Sequence, residues 1–155
     1  MYRFVIQLGI GIVFLMFSTL ATWYEGAEIL DKTYEWKYST PFSGLVLKAE
    51  DISSLDFFVY AIKFKPTFPV VMALSCIYLI ITVGYFTFKR KKKVFTTFLS
   101  TIAAGLLVLG WQLNSSTTEG ALVLSYAFLS CSALCVIATL LYYIRPKVCL
   151  LQKVD

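Results

Sequence analysis

Lys89-Arg90-Lys91-Lys92-Lys93 is the densest charge in the chain, and it separates two apolar runs of about 20 residues each. Five consecutive cations cannot enter hydrocarbon cheaply, so both neighbouring runs must end at this point. Short basic loops stay on the cytoplasmic side, so the same five residues also set an orientation. The remaining segments are numbered outward from this hairpin.

The 155 residues are 59% hydrophobic and 15% charged. Ordinary soluble domains sit near 45–50% and about 25%. The excess falls in four blocks, each long enough to cross a hydrocarbon core of about 30 Å as a helix. These predict spans at 4–23, 69–88, 94–113 and 121–144. The links between them are an outer segment 24–68, the basic turn 89–93, an outer turn 114–120 and a tail 145–155. A soluble fold of this size would lack the polar chain to cover four buried helices. The net charge of +5 equals the contribution of Lys89 to Lys93 alone, so the rest of the chain balances. That concentration excludes a dispersed nucleic-acid surface. No nucleic-acid partner is expected.

Trp23 and Tyr24 close the first run like an interfacial belt, which favours a retained helix over a cleaved signal. Gln7, Gly9 and Gly11 stand out within it, the glycines as sites where another helix could approach closely. The segment from Glu25 to Phe68 holds seven of the nine acids and five lysines, a net charge of −2. Alternation at Phe58, Tyr60, Ile62 and Phe64 predicts a strand over 57–64. Shorter strands are expected over 33–38 and 44–48, with turns at Ser39-Thr40-Pro41 and 50–54. The expected fold is therefore an all-α membrane protein, a four-helix bundle with a small antiparallel β-rich cap between the first and second spans.

Packing positions are predicted where small residues recur. Ala127, Cys131, Cys135 and Thr139 repeat every four residues in the fourth span, and Ala104 and Gly105 belong to small-xxx-small pairs in the third. With both termini inside, the cytoplasmic parts carry nine cations and the outer loops five, which agrees with the positive-inside rule. The expected location is a plasma membrane, multi-pass.

Chemistry is sparse. There is no histidine, which removes the commonest general base and metal ligand together. Cys131 and Cys135 sit deep in a span at a spacing that strains a disulfide. No acid or base lies inside the four runs, which argues against an ion-coupled carrier. The outer acids show no calcium-loop spacing. No catalytic residue, cofactor or metal is expected, and the chain is not expected to be an enzyme.

The stretch Ser18-Thr19-Leu20-Ala21-Thr22-Trp23-Tyr24-Glu25-Gly26, with Tyr34-Glu35-Trp36-Lys37-Tyr38-Ser39, resembles a family of short integral membrane proteins from spore-forming Gram-positive bacteria. The resemblance implies a bacterial plasma membrane and no activity. The layout also looks like claudin-type tetraspan proteins, though it lacks their Gly-Leu-Trp motif and loop cysteines. The functional expectation is a non-enzymatic accessory protein whose aromatic outer cap meets a membrane or extracellular protein through Trp36, Tyr38, Phe42, Phe58 and Tyr60. A small permease subunit or pore is the second reading, and an enzyme acting on lipid or quinone the third. Other expected contacts are the lipid bilayer and, left open, further copies of the chain.

Overall fold

The computed structural model describes residues 2–44, 46–116 and 118–151, without the side chains of 143–151. The elements run α1 (Tyr2–Gly26), α2 (Trp36–Ser39), α3 (Ser54–Phe64), α4 (Thr67–Phe88), α5 (Lys92–Asn114) and α6 (Glu119–Leu151), with short 3₁₀ turns at Ala27–Asp31, Thr33–Glu35 and Ala49–Asp51. Four of the helices, α1, α4, α5 and α6, are long and apolar enough to cross a membrane. Large apolar side chains line their outer faces, among them Val13, Leu20, Val108 and Leu134, each more than half exposed. Such faces suit hydrocarbon and not water. The tail predicted from residue 145 begins inside α6, which runs on to Leu151, and residues 152–155 lie outside the described residues.

The helices associate as two pairs. The α5/α6 pair is the more extensive and α1/α4 the next, while α4 touches α5 and α6 only lightly. In α5 the buried residues are Phe95, Leu99, Ala103, Leu106 and Gly110, one stripe at steps of three and four. In α6, Ser125 donates to the Gly110 carbonyl at 2.7 Å and Ser132 to that of Ala103 at 2.8 Å. A seven-residue step forward on α6 matches a seven-residue step back on α5, which fixes an antiparallel register. Of the small residues expected to pack, Cys135 is buried against Phe95, Leu99 and Ala103, and Ala127, Cys131 and Thr139 are half-buried beside it. Ala104 and Gly105 do not face α6. Both are exposed, and nothing lies within 4 Å of a Cβ placed on Gly105. They stand one and two residues past Ala103, which at about 100° per residue turns them off the packing stripe. On α1, Gly11 meets the side chains of Leu79 and Tyr78, whereas Gly9 meets nothing.

The segment between α1 and α4 corrects the expected β-rich cap: no strand occurs among the described residues. The stretch 57–64 is the last eight of the eleven residues of α3. Its buried residues are Asp56, Phe57, Tyr60 and Ala61, a period of 3.6 that the apolar alternation from Phe58 to Phe64 concealed. Ser53 caps the helix through Leu55 N at 3.3 Å. The stretch 33–38 is a 3₁₀ turn leading into α2. Around 44–48, Leu45 lies outside the described residues, and Gly44 and Lys48 flank it without strand pairing. The claudin-type likeness depended on outer strands and lapses with them.

Candidate functional site

The segment between α1 and α4 forms a cap built on α3, which touches α1 on one side and α6 on the other. Both contacts are main chain against main chain. A Cβ on Gly26 would meet the Phe57 carbonyl carbon at 2.5 Å, and one on Gly120 the Lys63 carbonyl oxygen at 2.6 Å. Glycine is required at both places because no other residue admits that approach. The cap thus gives the two helix pairs a second junction, beside the packing of Tyr85 on Phe95 and Phe88 on Phe98 between α4 and α5.

Beneath α3 lies a small core of Ile29, Ile52, Phe57 and Tyr60, with Trp36 and Val46 against it. Trp36 Nε1 donates to the Ile29 carbonyl at 2.8 Å. The node that holds the irregular chain is Asp56, fully buried. Its carboxylate accepts from the Phe42 and Ser43 amides, both at 3.0 Å, and from the Ser43 hydroxyl. Ser43 Oγ in turn accepts from Ser53 N at 2.6 Å. A buried carboxylate is tolerated only with its lone pairs satisfied, and three donors achieve that here. Gly44 follows with φ +71°, the left-handed region that glycine enters freely.

Lysines tie the rim. Lys63 Nζ donates to the Tyr38 carbonyl. Lys65 pairs with Glu28 at 3.0 Å. Glu28, by hydrogen bond and then by charge, holds the Lys65 ammonium above the usual lysine range, with the charge of Glu25 adding to it. Lys32 lies over the Tyr60 ring, 5.8 Å from its centroid, and the Tyr60 phenol raises its pKa likewise.

The five aromatics expected to meet a partner therefore divide. Tyr60 is core, and Trp36 and Phe58 are half-buried. Tyr38 and Phe42 are exposed, at 68% and 63%, and Tyr34 joins them at 70%. Sequence reasoning missed Asp56, Gly26 and Gly120. Ser53 followed three residues later by Asp56 is a helix-start pattern that could have located α3, but nothing in the sequence tells that this carboxylate turns to residues 42 and 43 instead. The basic run is exposed throughout, with the turn closing at Lys91 N to Phe88 O, 2.8 Å.

Among the described residues no group of histidine, cysteine, aspartate or glutamate is placed to hold a metal. No solved structure matches the chain. It is 33% identical over 82 residues to "Uncharacterized protein YjdJ" of Bacillus subtilis (strain 168), a likeness covering 49% of this chain and 75% of that relative. The model of a domain of unknown function, DUF4306, matches residues 5–88. That segment runs from the first turn of α1 through the cap to the end of α4, so it contains all but the first three residues of one helix pair and the whole network around Asp56. The chain belongs to the DUF4306 family.

Proposed function

We propose that this protein is a non-enzymatic membrane interaction protein whose outer cap presents Tyr38 and Phe42 to a protein partner beyond the bilayer. One observation carries the reading: Phe42 is 63% exposed while its own amide is pinned to the buried Asp56. An exposed aromatic on a fixed turn loses little conformational freedom on binding, which is what an anchor residue needs. Tyr38 has the same character, its carbonyl held by Lys63.

The reading includes an orientation, with the cap outside a plasma membrane and the Lys89–Lys93 turn in the cytoplasm. Lys92 and Lys93 support it. They occupy the first turn of α5, where positive charge opposes the helix dipole by about 0.3–1 kcal/mol each. Residues that disfavour their own helix end are better accounted for by topology than by stability.

Photo-crosslinking from positions 38 and 42 in intact cells tests the function. A discrete protein adduct from both, absent from lipid-facing Val13, supports it. Lipid adducts alone from all three positions would refute it. Lys91→Cys tests the orientation: labelling by a reagent that cannot cross the membrane would reverse it.

A further inference from the structure

The α1/α4 pair carries a groove that the cap does not use. At the Lys89 end, a cavity of about 550 Å³ is lined by Arg3 and Gln7 of α1, Thr82 and Tyr85 of α4, and Lys89. Phe4, Phe86 and the buried Phe95 form its walls. Arg3 stands on α1 and Lys89 just past the end of α4, and Phe4 against Phe86, with centroids 4.2 Å apart, holds those helix ends together. Among the described residues the one ion pair is Lys65–Glu28, on the cap, so neither Arg3 nor Lys89 is paired with a carboxylate there.

A second cavity, about 440 Å³, lies on the same faces of the same two helices, lined by Ile10, Phe14, Val71, Leu74 and Tyr78 around Gly11 and Ser75. The two cavities share no lining residue but stand in line along one groove. Residues 3, 7, 10 and 14 make one stripe of α1, and 89, 85, 82, 78, 75 and 71 make one stripe of α4. The groove runs from a cationic, hydroxyl-bearing end to an apolar one. From Arg3 to Phe14 it extends about 16 Å at 1.5 Å per residue. That is about half of a 30 Å hydrocarbon core, the depth of one leaflet.

We infer that this groove is a binding site for one anionic phospholipid, its phosphate held between Arg3 and Lys89 and an acyl chain lying over Ile10 and Phe14. Guanidinium and ammonium groups both suit a phosphate, and Gln7, Thr82 and Tyr85 add neutral donors. The shared chemistry at the polar end is phosphate recognition, which inorganic phosphate could also satisfy. The apolar extension is what selects the lipid. The inference rests on α1 and α4 lying in a bilayer, and not on the partner proposed for the cap.

Full-length protein, purified in detergent and stripped of lipid, is titrated with phosphatidylglycerol or chain-matched phosphatidylcholine and read by native mass spectrometry. The expected result is a one-to-one phosphatidylglycerol adduct, retained at least tenfold better than phosphatidylcholine. Arg3→Gln with Lys89→Gln should weaken it at least tenfold. Lys91→Gln with Lys93→Gln removes as much charge outside the cavity and should leave it unchanged. Ile10→Trp, at a half-exposed position, fills the apolar end and should weaken it too. Equal retention of the two lipids would overturn the site, as would equal losses from both charge pairs. Displacement by millimolar inorganic phosphate together with indifference to Ile10→Trp would reduce it to a free-anion site and overturn the lipid assignment. Wild-type protein that stays monodisperse without detergent would instead overturn the bilayer placement.

Discussion

A β-carbon on Gly120 would stand 2.6 Å from the carbonyl oxygen of Lys63 and closer still to that of Ile62. The obstacle is main chain, so no rotamer change relieves it. Gly120→Ala must therefore push α6 away from α3, at the place where the cap joins the α5/α6 pair. The expected cost is about 1–3 kcal/mol. Gly105→Ala is the matched control. It meets open space in the middle of α5 and should be neutral or stabilising by up to about 1 kcal/mol. Thermal unfolding in detergent, followed by circular dichroism, should rank the variants Gly105→Ala, wild type, Gly120→Ala from most to least stable.

Asp56→Ala should loosen the cap and spare the spans. It strands the Phe42 and Ser43 amides, and an unsatisfied buried donor costs about 1–3 kcal/mol. Asp56→Asn keeps one acceptor oxygen and should lie between wild type and alanine. Amide exchange at residues 42–43 and proteolysis between 40 and 53 should accelerate in that order, with the exchange of α5 and α6 unchanged. Uniform acceleration across all helices would show that Asp56 serves the whole fold.

The spans were legible because hydrocarbon imposes a length and forbids charge, and both constraints are written in composition. The cap was not, because its order comes from single long-range contacts. Phe58, Tyr60, Ile62 and Phe64 alternate as a strand would, yet the helix buries Phe57, Tyr60 and Ala61 against α1 and the 27–31 turn. Local pattern gave way to tertiary packing. Glycines near the ends of spans read as loop residues, and only the neighbouring backbone shows that Gly26 and Gly120 are contact points. Small-residue spacing does not decide between Ala103 and Ala104, a choice that depends on a helix rotation that spacing alone leaves free.

The α5/α6 register offers a test by additivity. Ser125 and Ser132 donate to carbonyls one heptad apart, about 10 Å along the helix. Hydrogen bonds between helices in membranes are worth about 0.6 kcal/mol on average. Ser125→Ala and Ser132→Ala should each cost about that much and add without coupling at that separation. Reversible unfolding in mixed micelles can resolve the sum. A double variant costing no more than either single variant would mean that the two bonds do not persist together.

The cap should also weaken in strong alkali. Lys65 is raised by Glu28, and Lys32 by Tyr60. A group whose folded pKa lies above its unfolded value stabilises fully below the unfolded value, about 10.4 for lysine. That contribution is lost as pH climbs through the higher folded value. Both lysines are partly exposed, so the loss is small and screened by salt. Proteolysis of the cap, or its amide exchange divided by the intrinsic base-catalysed rate at each pH, should be flat from pH 7 to about 10 and accelerate above that. Lys65→Met should remove part of the rise while leaving the spans untouched. An unchanged alkaline profile in Lys65→Met would show that the Lys65–Glu28 pair does not fasten the cap.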